Sequence, residues 1–99
     1  MERGETPTRR MTTRYTVVLS KLAQEKFDRF IKADRTLGEQ IAKAIDRLAL
    51  NPNLGEFLKG EWQGYRKYRT GRYRIIYRIE HSRLIIFIVT IDDRKHVYR

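Results

Sequence analysis

Six of the fourteen residues from Tyr65 to Arg78 (YRKYRTGRYRIIYR) are Lys or Arg, four are Tyr, and none is acidic. Guanidinium and ammonium groups bind phosphates, and flat rings stack on bases, so this composition points to a nucleic acid. The spacing matters more than the count. If Tyr65 to Thr70 is a strand, its period of two puts Tyr65, Lys67 and Arg69 on one face and Arg66 and Tyr68 on the other. A turn at Thr70-Gly71-Arg72 then leads into a second strand. There Tyr73, Ile75, Tyr77 and Ile79 form an apolar-aromatic face, and Arg72, Arg74, Ile76 and Arg78 point the opposite way. One face is suited to a core and the other to a flexible polyanion.

Other chemistries find few residues. With no cysteine, thiolate catalysis and thiolate metal ligation are excluded. The two serines, Ser20 and Ser82, fall at an expected helix cap and an expected turn. His81 shares that turn, which leaves His96 as the histidine in a suggestive place. Asp92 and Asp93 are adjacent, and adjacent carboxylates on an extended chain point apart. A two-metal nuclease needs several converging carboxylates, so metal-dependent catalysis is not expected, and no cofactor is implied. What remains is metal-free RNA cleavage, in which a ribose 2′-hydroxyl attacks the adjacent phosphate. Cations held in place in advance stabilise the charge that builds up in that transition state. A general base and a general acid are also required. Lys67 is a candidate base, because neighbouring like charges favour its neutral form. His96 and Tyr98 are candidates for the acid or an orienting group. Spacing leaves these roles open.

The charge distribution agrees. The net charge is +10, and from Lys59 to Arg99 eleven Lys/Arg stand against four Asp/Glu, whereas Met1 to Leu58 has eleven against eight. Such asymmetry favours a polyanionic partner. No apolar run approaches the ~18 residues of a membrane span, and the N-terminal stretch has no apolar segment of the signal-peptide kind. The expected location is the cytoplasm, with no membrane partner.

The elements that must position these residues can be read in order. Ninety-nine residues suit a single domain. Met1 to Arg14 has little to bury and is expected to be a disordered tail, with the domain spanning 15–99. Tyr15 to Leu19 is β-branched and reads as a strand. Ser20 is placed to cap a helix whose apolar stripe is Leu22, Ala23, Phe27, Phe30 and Ile31, ending near Lys32. Thr36 and Glu39 match a capping box for a second helix carrying Leu37, Ile41, Ala44, Ile45 and Leu48. It should stop near Asn51, ahead of Pro52. Asn51 to Gly64 reads as a loop, with Leu54, Phe57, Leu58 and Trp62 tucked back as satellite core and Lys59 as a candidate phosphate contact. After the hairpin, Glu80 to Arg83 makes a turn, and Leu84 to Ile91 (LIIFIVTI) is expected to be a central strand buried on both sides. The reading is α+β, with a helical hairpin covering one face of a sheet.

Strand, helix, helix, strand, strand, strand is an order that resembles the RelE/ParE superfamily of bacterial and archaeal toxins. The resemblance covers about residues 15–99 and is carried by LKG (Leu58 to Gly60), YRTGRYRIIY (Tyr68 to Tyr77) and IDDRKHVYR (Ile91 to Arg99). It implies a small RelE-like fold with a mostly antiparallel sheet. RelE-type members are ribosome-dependent endoribonucleases that cut mRNA in the A site, and a cognate antitoxin neutralises them. Carried over, the catalytic cations fall on Lys67, Arg69, Arg74 and Arg94, and the terminal aromatic on Tyr98. Lys59, Arg66, Arg72, Lys95 and His96 would be surrounding RNA contacts, with Arg66 a substitute should the strand register slip by one. Many members carry a Gly-His pair where this chain has Asp92-Asp93. The implied partner is a small, acidic, partly disordered, RelB-like antitoxin in an oligomeric complex. Two alternatives share the scaffold: a ParE-like DNA gyrase inhibitor and a non-catalytic RNA-binding relative.

Overall fold

The computed structural model describes residues 14–93. The first strand, β1 (Thr16–Leu19), passes through Ser20 into α1 (Lys21–Ala33). The Ser20 hydroxyl accepts from the Ala23 N–H at 3.0 Å, as the sequence predicts, and donates to the Val89 carbonyl at 2.6 Å. One side chain thus caps the helix and fastens its start to the sheet. A single residue, Asp34, separates α1 from α2 (Arg35–Leu50). Its carboxylate accepts from the N–H groups of Thr36 and Leu37 at 3.0 and 3.3 Å. The expected cap at Thr36 is therefore corrected. With so short a link Thr36 already lies in the first turn, and Glu39 faces Arg35 at 3.7 Å instead of reaching back. A methyl group on Gly38 would collide with Ile31, so glycine lets the two helices approach closely at this point. The second helix stops at Leu50, where Asn51 and Pro52 take over, as expected.

Beyond a single-turn helix at Pro52–Leu54 come β2 (Glu56–Phe57), β3 (Arg66–Thr70), β4 (Tyr73–Glu80) and β5 (Ile85–Asp93). They form one five-stranded sheet in the order β1-β5-β4-β3-β2, with β1 parallel to β5 and every other pair antiparallel. The strand β2 was read as loop; two residues are too few to display a period. Thr70 pairs with Tyr73, so Gly71 and Arg72 form a two-residue turn, and Gly71 adopts the positive φ of 60° that such hairpins need.

Both helices pack on one side of this sheet. The core joins Ala23, Ile41, Ala44 and Leu48 of the helices to Tyr73, Ile75 and Tyr77 of β4 and Ile86, Ile88 and Ile91 of β5. The apolar side of β4 is the one its alternation predicts. The expectation for Leu84 to Ile91 needs two corrections. Leu84 lies outside the strand, in left-handed backbone (φ 56°) after the His81–Arg83 turn. Along β5 every second residue from Ile86 to Ile88 is buried and Ile85, Phe87 and Val89 are half-buried, because only one face carries a helical layer.

A bulge interrupts that alternation. Pairing jumps from Ile76 with Thr90 to Tyr77 with Ile88, which leaves Val89 without a partner in β4. On the far side of the bulge Ile91 and Asp93 face the helices, and Thr90 and Asp92 turn to the open face.

Of the expected satellite core, Leu58 is half-buried and the other three side chains are exposed. Phe57 is 65% exposed, Trp62 46% and Leu54 43%. They lie on the β2 edge, and two of them are held by stacking at the surface. The Arg66 guanidinium sits 3.9 Å from the Phe57 ring centre, and Trp62 meets Tyr65 edge to face at 5.3 Å. The expected tail falls outside the described residues except for Arg14, which pairs with Asp46 at 3.0 Å.

Candidate nucleic-acid interface on the open sheet face

Residues directly opposite in an antiparallel pair share a face. Arg69 pairs with Arg74, and Arg74 pairs with Asp92; in the next row Lys67 pairs with Ile76, and Ile76 with Thr90. All of these point away from the helices, since their neighbours Tyr73, Ile75 and Tyr77 are core. Three of the proposed catalytic cations, Lys67, Arg69 and Arg74, therefore come together on one rigid surface across β3 and β4. Among the described residues none of the three forms an ion pair. The Arg74 Nε is buried and finds no hydrogen-bond partner, so part of this guanidinium is desolvated without compensation.

The register places Arg66 elsewhere. It lies opposite Tyr77 on the helix side, where its Nη1 donates to the Gly55 carbonyl at 2.7 Å while the guanidinium covers Phe57. No slip of one residue occurs, and Lys67 holds the open-face position. Tyr68 is also on the helix side, its hydroxyl accepting from Arg47 Nε at 3.2 Å. Arg72, from the turn, grips both oxygens of Asp93, at 2.7 Å from Nη2 and 3.3 Å from Nε. Asp93 is 6% exposed, and the hydrogen bond to it raises the Arg72 pKa above the usual arginine value. Arg72 is thus engaged on the core side of the strand end. Lys59 is exposed and lines a shallow groove with Phe57, Leu58 and Gly60 beyond the β2 edge, apart from the cation cluster. Arg94, Lys95, His96 and Tyr98 lie outside the described residues. Of the aromatics counted in the hairpin, Tyr73 and Tyr77 are core, and burial pushes both hydroxyls above the usual tyrosine pKa.

One participant was missed in the sequence. Lys26 of α1 reaches across the edge of β5, which β1 leaves unpaired after Ile88. Its ammonium lies 2.5 Å from an Asp92 carboxylate oxygen and 3.2 Å from the Thr90 hydroxyl. Thr90 also donates to that same Asp92 oxygen at 3.2 Å. The signal available was helical spacing: Lys26 follows Ala23 by three and precedes Phe30 by four, which sets it beside the buried stripe.

Among the described residues no group of three or more His, Cys, Asp or Glu side chains is gathered as a metal site would require. No helix among them is long and apolar enough to cross a membrane. The arrangement can hold phosphate oxygens against a flat, basic sheet surface.

A helical hairpin on one side of a mostly antiparallel sheet, with a cation cluster on the other side, defines a small α+β protein of the RelE-like fold. The family model described as the ParE toxin of type II toxin–antitoxin systems matches residues 17–98, and the chain belongs to that family of the RelE/ParE superfamily. Among solved structures, the toxin–antitoxin complex RelBE2 from Mycobacterium tuberculosis is similar at 26% identity, covering 82% of this chain and 99% of the matched chain, with a TM-score of 0.72. A YoeB/ParE toxin from Agrobacterium tumefaciens is 24% identical over 79% of this chain and 96% of its own, with a TM-score of 0.70. The intact RelBE complex of E. coli is 16% identical over 80% and 95%, with a TM-score of 0.66. The last two similarities concern the fold alone. No curated protein matches the chain.

Proposed function

We propose that this toxin is a metal-independent endoribonuclease that cleaves mRNA in the ribosomal A site and so arrests translation. The observation that carries the reading is the cluster of Lys67, Arg69 and Arg74 on the open face, with no ion pair among the described residues. In the reaction, the 2′-oxygen of one ribose forms a bond to the adjacent phosphorus as the bond from phosphorus to the 5′-oxygen breaks. The base takes the 2′-hydroxyl proton and the acid delivers a proton to the departing 5′-oxygen, giving a 2′,3′-cyclic phosphate and a 5′-hydroxyl. The cations stabilise the charge gathering on the phosphoryl oxygens. Asp92 stands opposite Arg74 on this face, and Arg94, two residues further along the chain, is proposed as a further cation of the site. Tyr98 in the same segment would supply a stacking ring.

The partner proposed for silencing is a small, acidic, partly disordered antitoxin of RelB type. A segment of that charge would pair with the basic face and order itself on binding. The test of the activity is purified protein added to programmed ribosomes, read by primer extension along the mRNA. Cuts at A-site codons are expected, and intact codons at high protein concentration would refute the reading.

A second reading is favoured by the family model itself, whose description is that of a ParE toxin. A ParE-like protein would inhibit DNA gyrase by binding, with no chemistry at the sheet face. Loss of supercoiling activity in a gyrase assay, with mRNA left intact on ribosomes, is the outcome that would establish it over the nuclease. Retention of RNA binding with neither effect would identify a non-catalytic relative.

A further inference from the structure

We infer that Lys26 is a positioning residue for the basic sheet face: by capturing Asp92 it keeps a carboxylate off Arg74. The inference rests on the reading of that face as an RNA surface.

The need for such a residue follows from the bulge. In an uninterrupted ladder continuing from Tyr77 with Ile88, Arg74 would stand opposite Ile91, and Asp92 would turn toward the helices. The extra residue at Val89 shifts the parity, so Asp92 stands directly opposite Arg74 on the open face. Opposite residues of an antiparallel pair have their Cα atoms about 4.5–5.5 Å apart, which is ion-pairing range for an arginine and an aspartate. An Arg74–Asp92 pair would neutralise the central cation of the cluster. In the structure Asp92 turns the other way, to Lys26 at 2.5 Å and Thr90 at 3.2 Å, and Arg74 Nε stays without a partner. The Lys26 and Asp92 side chains are only 26% and 27% exposed, so their attraction is screened less than that of a surface pair. Lys26 can reach because β1 pairs with β5 only as far as Ile88, which leaves the strand edge open to α1.

Among the described residues the charged groups around Asp92 are few. Arg74 lies opposite it, Arg69 stands one strand further, Lys26 and Arg29 come from α1, and Asp93 follows in the chain. Of these, only Lys26 is close enough to hold the carboxylate without covering the sheet face.

The test uses the full chain and a fluorescein-labelled ten-residue oligouridine in an anisotropy titration at several salt concentrations. Lys26→Met keeps the aliphatic stem and removes the charge. It is expected to weaken binding by about five- to tenfold and to lower the salt slope by about one phosphate contact. Adding Asp92→Asn should bring affinity back to within about twofold of the parent, since no carboxylate is left to pair with Arg74. Asp92→Asn alone should bind at least as tightly as the parent. Unchanged affinity in Lys26→Met, or a double variant as weak as the single, would overturn the inference; the latter would mean that Lys26 contacts RNA itself or supports the fold. A second readout does not depend on RNA: the Arg74 Nε–H resonance should shift on Lys26→Met as it gains a carboxylate, and should return in the double variant. A parent protein that binds no oligouridine would overturn the RNA reading, while the resonance would still decide where Asp92 points.

Discussion

Replacing Tyr77 by phenylalanine removes one oxygen from the centre of the molecule and should destabilise it severely. The ring is fully buried, and its hydroxyl accepts from the Gly55 N–H at 2.9 Å while donating to the Pro52 carbonyl at 2.6 Å. Both partners are themselves buried, so each is left without a partner when the oxygen is lost. A buried backbone group stripped of its hydrogen bond costs about 1–3 kcal/mol, and the gap left by a hydroxyl is too small for a water to repair it. Two such groups, each in the lower half of that range at about 1–2 kcal/mol, make about 2–4 kcal/mol, a large share of the ~5–15 kcal/mol that holds a domain folded. For a chain of this size that corresponds to a fall in Tm of roughly 10–25 °C and in the urea midpoint of about 2 M. Urea unfolding followed by far-ultraviolet circular dichroism is the assay, with an unchanged m-value confirming that stability alone has moved. A loss below about 0.5 kcal/mol would refute the reasoning, because the loop from Pro52 to Gly55 would then not be pinned through this hydroxyl.

The same residue predicts a pH effect. Burial holds the Tyr77 and Tyr73 hydroxyls protonated above their usual value of 10.0, so folding stability should be intact below about pH 10 and fall as pH rises through the shifted values; alkaline unfolding of the parent against Tyr77→Phe measures the share from Tyr77. If the nuclease reading holds, Arg74→Ala alone should slow cleavage on ribosomes by about 10²–10³-fold, the usual cost of one lost transition-state donor. Arg74→Ala together with Arg94→Ala should abolish growth arrest on induction in cells; arrest that survives would refute catalysis as the activity. Asp34→Ala should lower stability by about 1 kcal/mol through loss of the α2 cap, whereas Thr36→Ala should cost far less, a contrast readable by thermal unfolding.

The parts of this fold written in local pattern were legible. Period-two alternation sorted β4 into a core side and a basic side, and the Ser20 cap and Pro52 stop were right because each depends on residues within one turn. What failed was set by geometry across the chain. Asp34 and Thr36 are both good caps, and only the one-residue spacing of the helices chose between them. Phe57 and Trp62 look like core by composition, but they fall at the sheet edge, where Arg66 and Tyr65 stack on them. The bulge at Val89 leaves no mark on a stretch that is apolar from Ile85 to Val89, so the turn of Asp92 to the open face could not be read. Helical spacing sets Lys26 beside the buried stripe, but its pairing could not be read, since it and Asp92 are brought together from 66 residues apart. Of the site, alternation placed Lys67, Arg69 and Arg74 on one face and Arg66 on the other, while Arg72 was separated from them only by the Asp93 that its guanidinium grips.

The position of β5 has a consequence for how this protein comes into being. Among the described residues it is the last strand, yet it lies between β1 and β4 and is the only neighbour that β1 has. As the polypeptide emerges from the ribosome, the two helices and the β3–β4 hairpin must wait without a shared sheet, their apolar sides uncovered. Closing β1 against β5 spans nearly the whole domain, and contacts of such sequence separation form late. The basic face, too, lacks one of its borders until Asp92 has been made. A nascent chain of this kind holds no finished sheet until β5 has been made.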